Sequence, residues 1–267
     1  MNAAVWLVLA VVVTPYLVGV RRLWHAAGTG HGIARWRALS FAAASGILIA
    51  AFCQPFDAVS DARFSMHMTQ HILLVAVVPP LLILGKPGAA LAWAVRGVVW
   101  RVDRIPMALR RAWLGVTTPL VAWLAHSATL WLWHLPRWYQ LALQHPAVHA
   151  GEHVTLLGTA LLLWHCAMHP RSGRRAGAGI AVLLMLATAM QSGALGALLA
   201  GSTRVWYPMQ EGLRGTAAAL ADQQLAGLLM WVPAGLIYAI AGCVFFRNWI
   251  RGPVAAAPQM MPSEVPG

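Results

Sequence analysis

Apolar runs of about 20 residues recur along the whole chain and constrain its fold more than any other feature. Each run is long enough to cross a hydrocarbon core of about 30 Å as a helix. Only 10% of the 267 residues are charged, whereas a soluble domain carries about 25%. The sequence therefore predicts an all-α, polytopic membrane helix bundle with about seven transmembrane helices. The predicted spans are residues 3–20, 36–53, 65–84, 113–133, 148–167, 178–200 and 223–246.

The distribution of basic residues predicts how these spans are oriented. Of the 19 Lys and Arg residues, 15 fall in the loops and tail that the span order assigns to one side. Basic residues favour the cytoplasmic side of short membrane loops. We therefore expect the N-terminus outside and the C-terminus inside. The same rule accounts for the formal charge of +12, so we expect no nucleic acid among the partners.

The chain reads as one domain, because no insert outside the spans is large enough to bury a core of its own. We expect residues 1–251 to form a single integral membrane helical domain. Within it, residues 85–112 mix tryptophans with arginines, a pattern typical of an interfacial segment on the cytoplasmic surface. Residues 252–267 are rich in Pro and Ala and are predicted to be a disordered tail.

Two pairs of histidines with the same spacing stand at the outer ends of two spans. His67 and His71 open the third span, and His149 and His153 open the fifth. Residues four apart share one face of a helix, so each pair stacks two imidazoles one turn apart. Neutral imidazole binds copper, zinc, iron and nickel. The cysteines give no metal-binding signal, because no Cys-x-x-Cys pair is present. The sequence therefore predicts a metal site made by these four histidines.

Other polar residues on the same side are candidates to support these ligands. Glu152 lies within the second histidine pair, and His134 closes the fourth span. Asp222 and Gln223 open the seventh span, where Asp222 is either the helix N-cap or a partner that orients a ligand histidine. Tyr207, in the loop before this span, is expected to be an aromatic anchor at the membrane surface.

The residue types leave three chemistries open. Met66 and Met68 flank His67 on different faces of the helix, so at most one thioether joins the site, and thioethers favour cuprous copper. The segment HAGEH (149–153) also matches H-x-x-E-H, in which two histidines bind zinc beside a general base in a metallopeptidase. The facing histidine pairs are also compatible with the axial ligation of a haem.

Four motifs occur in a fixed order between Ser65 and Trp231: HMTQHILL with PPLLILGKP, then HLPRWY, HAGEH and DQQLAGLLMW. In this combination the chain resembles the CtaG-type cytochrome c oxidase assembly proteins, a membrane family associated with caa-type oxidases. The motif positions carried over by the resemblance are His67, His71, Pro79, Pro80, His134, His149, Glu152, His153, Asp222 and Gln223.

The resemblance implies a membrane assembly factor rather than an enzyme. It implies copper as the bound metal, cytochrome c oxidase subunits as partners and a soluble copper donor as a further partner. It also implies a multi-pass location in the bacterial plasma membrane, in contact with lipid. The zinc metallopeptidase and the haem-binding protein stay as alternatives.

Overall fold

The computed structural model describes residues 3–96, 106–170, 174–207, 212 and 215–251. All regular structure in these ranges is helical, which confirms the predicted all-α class. The predicted tail, 252–267, lies outside the described residues, as does part of the interfacial segment, 97–105. The elements are α1 (Ala3–Ala27), α2 (Arg35–Phe52), α3 (Phe56–Ala62), α4 (Phe64–Ile72), a π-helical turn (Leu73–Val77), α5 (Val78–Leu84), α6 (Pro87–Ala94), α7 (Met107–Val116), α8 (Pro119–Trp133), α9 (Pro136–Gln144), α10 (Pro146–Met168), α11 (Arg174–Ala200) and α12 (Thr216–Arg251).

Helices occupy the predicted spans, but the fourth span was predicted wrongly as one helix. It is divided between α7, which ends at Val116, and α8, which begins at Pro119. A proline disfavours helical backbone in the residue before it, and Thr118 is accordingly extended, with φ −78° and ψ 140°. The short helices α3 and α9 were not predicted.

Three helices of the described residues are long and apolar enough to cross a membrane by length and composition. They are Phe64–Leu84, Ala176–Ala200 and Thr216–Arg251. The first comprises α4, the π-helical turn and α5 in one continuous run. Crossing by the other predicted spans stays a prediction.

The third span continues as helix through Pro79 and Pro80. Each proline lacks an amide hydrogen, so carbonyls one turn earlier lose their helical donor. The π-helical turn lies at this point, and the indole N–H of Trp164 in α10 donates to the carbonyl of Val75 at 3.0 Å. A side chain of the neighbouring helix therefore replaces the missing backbone donor and holds α10 against this span.

The helices α11 and α12 pack antiparallel along their length, with glycines at the closest approach. A Cβ built on Gly196 would lie 2.7 Å from the carbonyl oxygen of Gly227, and one built on Gly227 would lie 2.5 Å from that of Gly196. Neither position therefore has room for a side chain. Small residues let two backbones approach in this way inside a membrane protein.

The helices α1, α2 and α6 share a second hydrophobic cluster with α5. The rings of Tyr16 and Phe41 stack with centroids 3.6 Å apart, and the Tyr16 hydroxyl donates to the carbonyl of Gly85 at 2.9 Å. At the same end, the Arg37 guanidinium donates to the carbonyl of Leu84 at 2.9 Å. Basic side chains therefore gather where α5 ends.

Candidate metal centre

The two histidine pairs meet at the opposite end of the bundle, where α4 and α10 begin and α8 ends; we call it the histidine end. His67 and His71 extend from α4, and His149, Glu152 and His153 extend from α10. Residues four apart on each helix face the other helix, so both pairs point into the same space. The spacing that predicted a shared face for each pair is therefore realised on both helices.

The imidazole rings are in direct contact across the two helices. Ring centroids lie 4.4 Å apart for His67 and His71, and 4.4 Å apart for His149 and His153. Between the helices, His67 lies 5.3 Å from His149 and 5.8 Å from His153, and His71 lies 5.3 Å from His153. All four predicted ligands therefore converge.

Glu152 lies at the centre of this cluster rather than at its edge. One carboxylate oxygen lies 3.7 Å from Nε2 of His67, and the other lies 3.6 Å from Nε2 of His71. The carboxylate is fully buried, with 0% exposure. It therefore adds a formal negative charge to a space otherwise formed by imidazoles.

Four of these residues bring their ligand atoms close enough to share one ion. One ligand atom each from His67, His71, Glu152 and His153 lies within 4.8 Å of all the others. We call these residues the four-residue group. They are all buried, and the structure gives no hydrogen bond to either carboxylate oxygen or to Nε2 of the three histidines within the described residues. Buried polar atoms are nearly always paired, so such convergence indicates a place for an ion.

The four-residue group and the predicted ligand set differ at one position. His149 was predicted as a ligand and Glu152 as its support, yet Glu152 belongs to the four-residue group and His149 stands beside it. His149 is only half-buried, and its ring is nearly parallel to that of His67, at an interplanar angle of 20°. The position of His149 thus lies between the buried group and the surface.

His134, a predicted supporting residue, contacts the site through α4. Its Nδ1 lies 2.7 Å from the carbonyl oxygen of Leu130, and its Nε2 lies 3.1 Å from Sδ of Met68. Its ring centroid lies 6.0 Å from that of His71. His134 therefore adjoins the four-residue group on the side of Met68.

The Asp222 carboxylate fastens α12 to the beginning of α4. Its Oδ1 accepts a hydrogen bond from the Ser65 hydroxyl at 2.5 Å, two residues before His67. The predicted N-cap role is wrong, because α12 begins at Thr216 and Asp222 lies inside it. The helix starts earlier because the residues before Asp222 are mostly alanines, which favour helix.

Gln223 holds the loop before α12 against the histidine end. Its side-chain oxygen accepts a hydrogen bond from the amide of Trp206 at 2.8 Å, and its side-chain amide donates to the carbonyl of Arg204 at 3.1 Å. These contacts give Gln223 a role in positioning the loop.

Two tyrosines that line this end were not predicted as site residues. The rings of Tyr139 and His67 lie 5.4 Å apart at 87°, and the Tyr207 hydroxyl donates to the carbonyl of His134 at 3.0 Å. Tyr207 was expected to be a surface anchor, which is wrong, since it is 1% exposed. Burial, with the nearby Glu152 carboxylate, raises the pKa of Tyr207 above its ordinary value, so its hydroxyl stays a donor at neutral pH. The motif HLPRWY contains Tyr139, but no sequence pattern predicted that Tyr207 is buried.

Comparisons with known proteins identify the family of the chain. No curated protein and no solved structure matches it. The sequence profile of one family, described as cytochrome c oxidase caa3 assembly factor (Caa3_CtaG), matches residues 14–252. The matched region contains every residue of the histidine end discussed above. The chain therefore belongs to the cytochrome c oxidase caa3 assembly factor family.

Proposed function

We propose that this protein binds copper in the four-residue group and provides it to cytochrome c oxidase during assembly. The observation that carries the proposal is the convergence of buried ligand atoms from His67, His71, Glu152 and His153 within 4.8 Å. The family assignment supplies the oxidase as the target. Copper here is cargo, held in the membrane protein and passed on.

The charge of the group supports cuprous copper in particular. Three neutral imidazoles and one carboxylate carry a single negative charge, which a monovalent cation neutralises. A divalent ion would leave an uncompensated positive charge in a buried place, and buried net charge is costly. Imidazole also belongs to the ligands that suit copper.

The alternatives fit the geometry less well. The imidazole rings contact one another directly, as in the 5.3 Å stacking of His67 and His149, so a small ion suits the space better than a macrocycle. A Soret band in the absorbance spectrum of the purified protein would favour haem instead. In a zinc peptidase Glu152 would serve as general base, but its carboxylate is fully buried between His67 and His71. The expected absence of catalysis stays a prediction.

We also propose that the helices cross the bacterial plasma membrane seven times, with residues 1–251 as one domain. The fourth crossing would use α8 and the residues before it. The arginines at the other end of the bundle support an outward-facing histidine end. Arg22 and Arg37 donate to backbone carbonyls of Ala94 and Leu84 at the other end, and basic residues favour the cytoplasmic side.

The described parts of the interfacial segment fit this orientation. The helix α7 has no buried residue, and it exposes apolar side chains such as Leu109 beside Arg110 and Arg111. An amphipathic helix of this kind suits a lipid surface. The partners we propose are membrane lipid, cytochrome c oxidase subunits and a soluble copper donor at the outer side.

A complementation experiment tests the function. In a bacterium lacking this protein, the wild type should restore the copper content and activity of the oxidase in isolated membranes. A His67→Ala/His71→Ala variant should leave both at the level of the deletion strain. The control is His165→Ala/His169→Ala, a pair with the same spacing at the other end of α10. Full restoration by the first variant would contradict the proposal.

A further inference from the structure

A thioether and an imidazole face each other beside the four-residue group. Sδ of Met68 lies 3.1 Å from Nε2 of His134, and both side chains are buried. Met68 lies one residue after His67 on α4, whereas His134 caps the C-terminal end of α8. Two elements that are far apart in sequence thus bring a soft sulfur and a nitrogen together.

The tautomer of His134 follows from its other contact. The carbonyl oxygen of Leu130, 2.7 Å from Nδ1, can only accept a hydrogen bond, so Nδ1 carries the hydrogen. In the neutral ring, Nε2 then presents a lone pair to the sulfur of Met68. A hydrogen bond from one ring nitrogen of a histidine determines that the other nitrogen is the one free to bind a metal. Two lone pairs therefore face one another in a buried place.

We propose that Met68 and His134 form an adjoining position for the cuprous ion bound by the four-residue group. Thioether and imidazole together are donors that suit cuprous copper and that zinc seldom uses. The rings of His134 and His71 lie 6.0 Å apart, so the two positions adjoin at His71. Movement between them exchanges ligands without a change of oxidation state, and no electron or proton needs to be supplied.

This inference rests on the proposed copper function but goes beyond it, because it makes the site selective. The four-residue group alone disfavours zinc only through its charge, because zinc also uses nitrogen and oxygen ligands. The sulfur adds a preference for cuprous copper over zinc. Met66 provides the matched control, since it also neighbours His67 but points to another face of α4.

X-ray absorption of the full-length protein in detergent, loaded anaerobically with cuprous copper, tests the proposal. The wild type and Met66→Leu should each show a sulfur shell around copper, and Met68→Leu should show nitrogen and oxygen only. We expect Met68→Leu to lower cuprous affinity about 10-fold, measured by competition with a chelator. Zinc affinity should be unchanged in the same variant. Leucine replaces methionine with little change in volume, so the variant should keep the fold.

The outcomes separate this inference from the proposed function. Copper bound by the wild type with no sulfur shell would overturn the inference and leave copper binding by the four-residue group intact. A sulfur shell that survives in Met68→Leu would also overturn it. Absence of bound copper in the wild type would overturn both.

Discussion

At the scale of single residues, the Glu152 carboxylate sets the charge of the histidine end. It is fully buried and lies 3.6 to 3.7 Å from two imidazole nitrogens. A buried carboxylate without strong hydrogen bonds is unfavourable unless a cation compensates it. The Glu152 carboxylate therefore lowers the stability of the copper-free protein and raises its affinity for a cation.

Replacing this carboxylate by its neutral isostere separates the two effects. We expect Glu152→Gln to lower cuprous copper affinity by about 10-fold or more, measured by chelator competition. The copper-free variant should be at least as resistant to thermal unfolding as the wild type, because a buried charge is removed. Asp57→Asn, which changes a carboxylate in the first turn of α3, is the control and should bind copper normally. Unchanged affinity in Glu152→Gln would exclude the carboxylate as a ligand.

The sequence predicted that the two histidine pairs lie at one end of the bundle, but it did not predict which residues of α10 lie closest to His67 and His71. Spacing determines which residues share a face of one helix, so the two pairs were recognisable. The rotation of α10 relative to α4 decides which of its residues points inward, and this depends on packing contacts such as that of Trp164 with Val75. The burial of Tyr207 was not predicted, because a loop residue has no periodicity that indicates burial.

At the scale of helices, the apolar runs predicted most boundaries because length and hydropathy are local properties. The division of the fourth span at Pro119 was not predicted, because most residues on both sides of it are apolar. Hydropathy alone does not show that a proline lacks an amide hydrogen. Hydropathy also does not explain why the helix stays continuous through Pro79 and Pro80. There the indole of Trp164, distant in sequence, supplies the donor that the prolines lack.

The indole contact gives a prediction at this scale. Trp164→Phe should destabilise the protein by about 1–3 kcal/mol, because the Val75 carbonyl loses its donor in a buried place. Thermal unfolding in detergent measures the change. Trp123→Phe is the control, since the Trp123 indole nitrogen has no acceptor within the described residues, and it should cost much less. Equal losses in the two variants would show that ring size, and not the hydrogen bond, matters.

The close contact between α11 and α12 gives a second prediction about helix packing. Gly227→Ala should destabilise the protein by about 1–3 kcal/mol, because the new methyl group meets the backbone of α11. Gly235→Ala on the same helix has no heavy atom within 4 Å of the added Cβ, and it should be neutral or slightly stabilising. If thermal unfolding does not distinguish the two variants, the helices are not packed as closely as described.

At the scale of the whole molecule, the two ends of the bundle differ in their side chains. The histidine end gathers α4, α8, α10 and α12, and basic side chains such as Arg37 gather at the other end. If the histidine end faces outward, copper reaches it without crossing the membrane. A fluorescent protein fused after Arg251 should then fluoresce in cells, whereas alkaline phosphatase at the same position should be inactive. Active phosphatase there would reverse the proposed orientation.

Elemental analysis of the purified protein tests most directly whether the four-residue group binds copper. After anaerobic loading with cuprous copper and washing, the wild type should retain about one copper per chain. His67→Ala/His153→Ala should retain almost none, and His165→Ala/His169→Ala should match the wild type. Equal copper in the wild type and the first variant, or none in the wild type, would contradict the account.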